Sequence, residues 1–198
     1  MVLLAGASGS GKTSLCRRLG LPVVTLDDFY RDGDDPRLPR RFGIVDWDDP
    51  ACWDADAALA AVRRLATDGV ADIPVYDIPT SRRTGTARLD LAGAPIVIAE
   101  GVFAAELVAA CAAAGILADA VCLRLHPAVT FGRRLLRDLV EGRKPPLTLV
   151  RRGLGLARAE PELVRRWVAA GCRPLSVGDA ERSLRALAAD QAHRPTGE

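Results

Sequence analysis

Short runs of apolar residues, rich in valine and isoleucine, recur along the chain between stretches that carry apolar residues at helical spacing. A continuous apolar run, unlike an alternating one, is typical of a strand covered on both faces, as in a parallel sheet. Strands are therefore predicted at five such runs and at a weaker sixth run. They are Val2–Ala5, Val23–Leu26, Ile73–Tyr76, Ile96–Ala99, Val121–Leu125 and, as the weaker sixth, Pro174–Val177.

The stretches between these runs favour helices, and most of them end beside a glycine, a common C-terminal signal. The predicted helices are Ser14–Leu19, Asp54–Thr67, Ala104–Ala114, Pro127–Val140 and Pro161–Ala170. The alternation predicts an α/β fold with a doubly wound, mainly parallel five-stranded sheet and helices on both faces. Such sheets bind ligands beyond the carboxyl ends of their strands. Residues 191–198 have no pattern and are expected to fray.

The first predicted strand leads directly into a glycine-rich turn, Gly6-Ala-Ser-Gly-Ser-Gly-Lys12-Thr13, and then into a helix. This is G-x-x-x-x-G-K-[ST], the phosphate-binding P-loop, in the context that it requires, and it predicts the P-loop NTPase fold. Glycines let backbone N–H groups approach a phosphate, and the helix N-terminus adds partial positive charge. Lys12 would contact the β- and γ-phosphates of ATP, and the Thr13 hydroxyl would bind Mg²⁺. The predicted ATP-binding residues here are Gly6, Ser8, Gly9, Ser10, Gly11, Lys12, Thr13 and Ser14.

Composition narrows the class of protein. The chain has 198 residues, 49% of them hydrophobic, which is enough for a core, and a single domain over residues 1–198 is expected. No run of eighteen apolar residues and no export signal occur, so neither a membrane nor secretion is expected. Five scattered cysteines without C-x-x-C spacing predict reduced, mostly buried thiols in a cytoplasmic protein. The net charge of +2 neither favours nor excludes the binding of nucleic acid.

A pair of acidic residues, Asp27 and Asp28, follows the second predicted strand and precedes Phe29 and Tyr30. A carboxylate at this edge of the sheet could accept the proton of a substrate hydroxyl or help to hold Mg²⁺. Two acids that open a loop would have no special role by themselves. Beside a P-loop, however, Asp27 is predicted to be catalytic together with Lys12.

The P-loop followed by Asp-Asp-Phe-Tyr resembles the uridine kinase-like nucleoside kinases, which include uridine/cytidine kinases and nicotinamide riboside kinases. Asp46-Trp-Asp-Asp-Pro50 is similar to that family's aromatic-Asp-x-Pro stretch, whose Asp binds the ribose hydroxyls, and this implies the same role for Asp48. One carboxylate can accept hydrogen bonds from both vicinal hydroxyls of a ribose. Asp54, which follows, is expected to cap a helix.

Two further segments continue the resemblance. Ile73-Pro-Val-Tyr76-Asp77 is similar to the P-x-Y-D segment that lines the acceptor pocket, which implies that Tyr76 contacts the acceptor. Glu100-Gly101 matches the family's E-G pair, whose Glu orders Mg²⁺ or its waters. The resemblance therefore implies that Mg²⁺ is held by Thr13 and Glu100, partly through water.

The segment that reads the base departs from the family pattern. Uridine kinases usually carry an aromatic residue and then a histidine here, whereas this chain has Ile78-Pro-Thr-Ser81 followed by Arg82 and Arg83. The identity of the base is therefore left open. The predicted substrate-binding residues are Asp27, Tyr30, Asp48, Tyr76 and Arg83.

Basic residues are concentrated in the stretch Phe131–Lys144. Its arginines share one side of the predicted helix, which by itself indicates a solvated basic face. Next to a P-loop the pattern resembles the arginine-rich lid of uridine kinases, expected at about residues 127–160, which closes over the triphosphate and neutralises charge on the transferred phosphoryl group. This implies catalytic roles for Arg133 and Arg137 and ATP binding by Arg134. The resemblance ends at about Lys144.

The sequence thus predicts an ATP- and Mg²⁺-dependent kinase that transfers the γ-phosphoryl group to the 5′-hydroxyl of a nucleoside, by default uridine or cytidine. Nicotinamide riboside or another small hydroxyl metabolite remains an alternative acceptor. A non-enzymatic nucleotide-binding module is the alternative from another class, although it would need neither Asp27 nor Asp48. A nucleic-acid-binding ATPase is disfavoured because aromatic residues for base stacking are scarce. The oligomeric state is not determined.

Overall fold

The computed structural model describes residues 1–41, 44–125, 128–130, 132 and 146–193. In these residues the strands are β1 (Val2–Ala5), β2 (Val23–Thr25), β3 (Arg40–Arg41), β4 (Ile44–Val45), β5 (Val70–Asp77), β6 (Arg82–Asp90), β7 (Ile98–Gly101), β8 (Asp119–Leu123) and β9 (Arg173–Leu175). The helices are α1 (Lys12–Leu19), α2 (Ala55–Asp68), α3 (Val108–Ala113), α4 (Pro146–Ala169) and α5 (Val177–His193). Short 3₁₀ turns lie at Leu26–Phe29, Pro50–Cys52 and Ala104–Leu107.

Five strands form a parallel sheet in the order β2-β7-β1-β8-β9. The central strand β1 is buried on both faces, and its side chains alternate between two hydrophobic layers. Leu3 and Ala5 join the layer formed with α2 and α3, whereas Val2 and Leu4 join the layer formed with α1 and α5. Helices therefore cover both faces of the sheet, and the predicted doubly wound α/β fold is confirmed.

The membership of the sheet differs from the sequence prediction at one strand. Ile73–Tyr76 is part of β5, which pairs in antiparallel fashion with β6 in a separate hairpin and not with the parallel sheet. Along β5 buried and less buried residues alternate, with Ala71 and Ile73 buried, so only one face of this strand packs against the core. The weaker sixth run supplies the fifth strand instead, because β9 pairs with β8. The polar, almost wholly exposed β6 had no apolar pattern that could predict it.

The helices agree with the prediction in the first half of the chain and exceed it in the second. Asp54 caps α2 by accepting from the Ala57 N–H at 3.1 Å, and Gly69 ends that helix at φ 73°. Helix α4 begins well before its predicted start and contains Pro161 in its interior. Helix α5 was not predicted, and it includes residues 191–193 of the segment expected to fray. Most of the predicted helix Pro127–Val140 lies outside the described residues.

The five cysteines are free and buried, as predicted. Burial alone raises the pKa of the Cys122 thiol above its ordinary value, and the same cause is the largest for the other four. These thiols are therefore protonated and serve as small core side chains. Within the described ranges, no helix combines the length and the apolar character that crossing a bilayer requires.

The register of the sheet positions the candidate site. Ala5 at the end of β1 is level with Gly101 in β7, and Thr25 at the end of β2 is level with Glu100. The glycine-rich loop, the Glu100–Gly101 pair and the 3₁₀ turn that carries Asp27 therefore leave the sheet at one edge. This edge is the carboxyl end of the strands, as expected from the doubly wound topology.

Candidate active site

The loop between β1 and α1 has the backbone shape that its glycines permit. Gly9 and Gly11 lie in the left-handed region at φ 83° and 95°, where a residue with a Cβ would be strained. A Cβ built on Gly6 would approach the Ser10 Oγ to 2.6 Å, so the loop closes tightly on itself. The first N–H groups of α1 have no partner within the helix.

Ser10 gives an independent indication of what this loop binds. Its side chain is 1% exposed, and its Oγ has no hydrogen-bond partner among the described residues. A buried hydroxyl without a partner is costly, whereas an anionic oxygen at this position would accept a hydrogen bond from it. Together with the N-terminus of α1, this orphaned donor fits a phosphate group.

Lys12 and Thr13 both approach Glu100 from the start of α1. The Lys12 ammonium donates to the Gly6 carbonyl at 2.9 Å and lies 3.8 Å from Glu100 Oε2. The Thr13 hydroxyl donates to Glu100 Oε1 at 3.4 Å. Burial raises the pKa of Glu100, Lys12 opposes that shift, and the charge of Asp27 adds to it. A hydroxyl beside a carboxylate is a suitable partial ligand set for Mg²⁺, which takes its remaining ligands from water and phosphate oxygens.

The predicted catalytic carboxylate lies at the same edge. Asp27 is in the 3₁₀ turn after β2, and its carboxylate accepts a hydrogen bond from the Val102 backbone N–H. Burial raises the pKa of Asp27 above its ordinary value, and the charge of Lys12 opposes the shift. A carboxylate with a raised pKa is a better base for a hydroxyl proton than an exposed one.

Aromatic rings surround Tyr30, three residues beyond Asp27. The ring of Tyr30 lies 5.7 Å from that of Trp47 and 5.9 Å from those of Tyr76 and Phe103, measured between centroids. Its hydroxyl donates to the Trp47 carbonyl at 3.2 Å. Asp48 is exposed next to this cluster, and its charge contributes to raising the pKa of Tyr30 after burial and Asp27. The structure thus brings three of the predicted substrate-binding residues, Tyr30, Tyr76 and Asp48, close to one another.

Three features of this region had no clear signal in the sequence. Phe103 follows β7 without a motif, yet its ring contacts both Tyr30 and Trp53. Asp28 accepts from the backbone N–H of Tyr76 at 3.2 Å and so connects the 3₁₀ turn to β5. The orphaned hydroxyl of Ser10 could not be inferred either, because burial depends on the folded loop.

The remaining predicted site residues are Ser8, Ser14, Arg83 and the three arginines of the predicted lid. Ser8 and Ser14 are exposed at the loop and at the first turn of α1. The Arg83 side chain contacts the backbone carbonyls of Phe29 and Tyr30 and the carboxylate of Asp54. The lid arginines Arg133, Arg134 and Arg137 lie outside the described residues. Among the residues that are described, His, Cys, Asp and Glu form no group of three or more that could hold a metal ion.

A glycine-rich loop of this shape, at the carboxyl edge of a parallel sheet in the order β2-β7-β1-β8-β9, defines a P-loop protein. The family model "Phosphoribulokinase / Uridine kinase family" matches residues 1–144. The chain is 32% identical over 170 residues to a uridine kinase from Deinococcus deserti, which covers 78% of this chain and 76% of that protein. It is 24% identical over 143 residues to a uridine kinase from Chlamydia pneumoniae, covering 69% and 61% respectively. The chain therefore belongs to the phosphoribulokinase/uridine kinase family.

A solved structure shares the fold of this chain. The crystal structure of a protein from Silicibacter sp. TM1040, named "putative fructose transport system kinase", is similar with a TM-score of 0.62. The two chains are 21% identical, and the match covers 88% of this chain and 86% of that one. At that identity the likeness shows the shared fold and does not extend to the substrate.

A substitution at Gly101 tests how closely β7 must approach the turn that carries Asp27. A Cβ at this position would lie 2.8 Å from the Leu26 Cβ and 3.2 Å from Asp27 Oδ1. We expect Gly101→Ala to lower the free energy of unfolding by about 1–3 kcal/mol, because the turn must move to relieve the clash. Urea unfolding measures the change.

The matched control is Gly85→Ala in β6, where an added Cβ would meet no atom within 4 Å. This variant should unfold close to the wild type, since alanine also costs less chain entropy than glycine. Equal stability of both variants would show that the turn is not held against β7.

Proposed function

We propose that the protein is an ATP-dependent phosphotransferase that moves the γ-phosphoryl group of ATP to the 5′-hydroxyl of a nucleoside, with uridine or cytidine as the first choice. The observation that carries the proposal is the half-buried Asp27 carboxylate, whose raised pKa is opposed by the nearby charge of the P-loop Lys12. A hydroxyl nucleophile needs a base on one side of the transferred group and a cation on the other. The family membership supports the same reaction class.

On the nucleotide side, the loop residues bind and orient the triphosphate. The orphaned Ser10 hydroxyl and the N–H groups at the start of α1 donate to phosphate oxygens, and Lys12 neutralises the charge that develops on the γ-phosphoryl group. Thr13 and Glu100 would hold Mg²⁺, which would offset the negative charge of the triphosphate. Arg133, Arg134 and Arg137 are proposed to complete this neutralisation from the lid at about residues 127–160 of a single domain.

On the acceptor side, Asp27 accepts the proton of the 5′-hydroxyl as that oxygen attacks the γ-phosphorus. The aromatic cluster of Tyr30, Trp47 and Tyr76 offers ring faces and edges for a planar base. Asp48, exposed beside the cluster, is placed to accept from the two ribose hydroxyls. Nicotinamide riboside or another small hydroxyl metabolite fits the same description and is the alternative acceptor.

A non-enzymatic nucleotide-binding module is the competing function. Such a module would need the phosphate loop but no carboxylate placed to accept the proton of a hydroxyl group. The position of Asp27 near Lys12 therefore favours an enzyme.

The first experiment measures the rate at which ADP is released from ATP·Mg²⁺ in the presence of uridine, cytidine, adenosine, guanosine or nicotinamide riboside. We expect stimulation by one or two nucleosides over the rate without an acceptor. Pantothenate and ribulose 5-phosphate complete the panel as acceptors that lack a base. ATP binding with no stimulation by any of these compounds would contradict a nucleoside kinase.

Asp27→Asn tests the proposed base. The amide keeps the size of the side chain but cannot take a proton, so we expect kcat to fall about a hundredfold or more while ATP still binds. Asp28→Asn is the matched control, since Asp28 is adjacent and its pKa is also raised by burial, yet it accepts from the Tyr76 N–H. Its loss of kcat should be much smaller. Equal losses would remove Asp27 from its role.

The dependence of kcat/KM on pH gives a second test. Because burial raises the pKa of Asp27, the base becomes protonated and inactive at a higher pH than an ordinary aspartic acid. The acid limb of the profile should therefore lie above about pH 4, the ordinary value, and activity should be lost as the pH falls through the raised pKa. Glu100 shifts in the same direction, so the limb reports both carboxyl groups. An acid limb at or below the ordinary value would show that the base is not buried.

A further inference from the structure

We propose that Arg83 is a positioning residue that fixes the turn carrying Asp27, and that it does not bind the acceptor. The inference rests on the proposed function of Asp27 as the base. Arg83 links the β5–β6 hairpin to the segment Leu26–Arg31, which includes the 3₁₀ turn Leu26–Phe29.

The guanidinium of Arg83 contacts the C-terminal end of this turn. Its Nε donates to the Tyr30 carbonyl at 3.2 Å, and its Nη2 donates to the Phe29 carbonyl at 3.4 Å. The last carbonyls of a helical turn have no partner within the turn, and a basic side chain is a suitable donor to them. Arg83 therefore caps the end of a turn whose second residue is Asp27.

Asp54 extends this contact to helix α2. The Nη2 of Arg83 also lies 3.4 Å from Asp54 Oδ2, while Asp54 Oδ1 accepts from the Ala57 N–H and caps α2. The Asp54 backbone N–H donates to the Phe29 carbonyl at 2.9 Å, the same oxygen that Arg83 approaches. The hairpin, the 3₁₀ turn and α2 thus meet at one carboxylate and one carbonyl.

A bulge in the hairpin directs Arg83 to this position. Val75 pairs with Gly85 and Tyr76 pairs with Arg83, so Thr84 is an extra residue on β6. Such a bulge changes the direction in which the following side chains point. The Asp32 carboxylate accepts from the Arg83 backbone N–H at 2.7 Å and fixes the main chain there. Asp32 therefore fixes the main chain of Arg83, and the carbonyls at the end of the turn fix its guanidinium.

The consequence for catalysis follows from the shortness of the turn. Asp27 and Phe29 belong to the same four-residue turn, so a shift of the Phe29 carbonyl is transmitted to the Asp27 backbone. A small displacement of a catalytic group from the reacting atoms can cost a large factor in rate. A planar guanidinium can contact two carbonyls and a carboxylate at once, whereas a lysine ammonium cannot do so with the same geometry.

The test compares kcat and KM for Arg83→Gln and Arg83→Lys with the wild type and with Arg82→Gln. Arg82 is the neighbouring exposed arginine, and its side chain pairs with Asp34. We expect Arg83→Gln to lower kcat about tenfold to a hundredfold, with KM for ATP within about twofold of the wild type. Arg83→Lys should be intermediate, and Arg82→Gln should change kcat by less than about twofold.

Asp54→Asn separates the charge from the helix cap, because asparagine also accepts at an N-cap. If Arg83 acts together with Asp54, the loss of kcat in the double variant will be smaller than the product of the single losses. A loss equal to the product would contradict a joint action of the two side chains.

Hydrogen exchange of the free protein tests the same link without any assay of activity. We expect Arg83→Gln to increase exchange at the backbone N–H of Asp54 and at that of Arg31, which donates to the Cys52 carbonyl. Increased exchange with an inactive wild type would leave the link intact and contradict the proposed function instead.

Two results would overturn the inference while the kinase activity stands. One is a higher KM for the acceptor with unchanged kcat and unchanged exchange, which would make Arg83 an acceptor-binding residue. The other is an Arg83→Gln variant that equals the wild type in both kcat and exchange.

Discussion

The ammonium of Lys12 lies 3.8 Å from the buried carboxylate of Glu100, and its charge also acts on the half-buried Asp27, and this arrangement governs the rest of the site. Burying carboxylates is unfavourable, as the raised pKa values of both groups show, and the ammonium of Lys12 offsets part of the cost. The fold tolerates the remainder because the groups stand at the carboxyl ends of β1, β2 and β7. The neighbouring order β2-β7-β1 is therefore what makes one cation and two acids a unit.

The proposed acceptor side depends on a different kind of support. Asp27 and the aromatic cluster lie on turns, loops and the β5–β6 hairpin and not on the parallel sheet, and side chains from distant segments hold the turn that carries Asp27. Trp53 donates from its indole nitrogen to the Leu26 carbonyl at 2.7 Å, immediately before Asp27. Asp28 and Tyr76 connect the same turn to the hairpin. Rigid strands fix the phosphate side, whereas hydrogen bonds to loop carbonyls fix the acceptor side, and the two meet at Asp27.

The division explains where the sequence resemblance was informative. Motifs on the phosphate side follow from backbone chemistry that any nucleotide loop needs, so Gly6 to Thr13 were recognisable in isolation. The acceptor side is recognisable only as an ordered set of short segments, and its departure at Ile78–Arg83 falls in the hairpin, outside the parallel sheet. Arg83 shows the difference, since its place in the segment that departs from the family pattern suggested contact with the acceptor, while its guanidinium contacts Phe29, Tyr30 and Asp54.

By itself the sequence determined the P-loop, the α/β class, the cap of α2 by Asp54 and the carboxylates at the ends of β2 and β7. These features depend on local patterns, namely apolar runs, glycine positions and residues that follow a strand. Only the tertiary structure decided that Ile73–Tyr76 leaves the parallel sheet and that β9 enters it, because strand partners are set by burial between distant segments. It also decided the partners of Arg83 and the burial of Ser10, since both depend on side chains brought together from far apart in the chain.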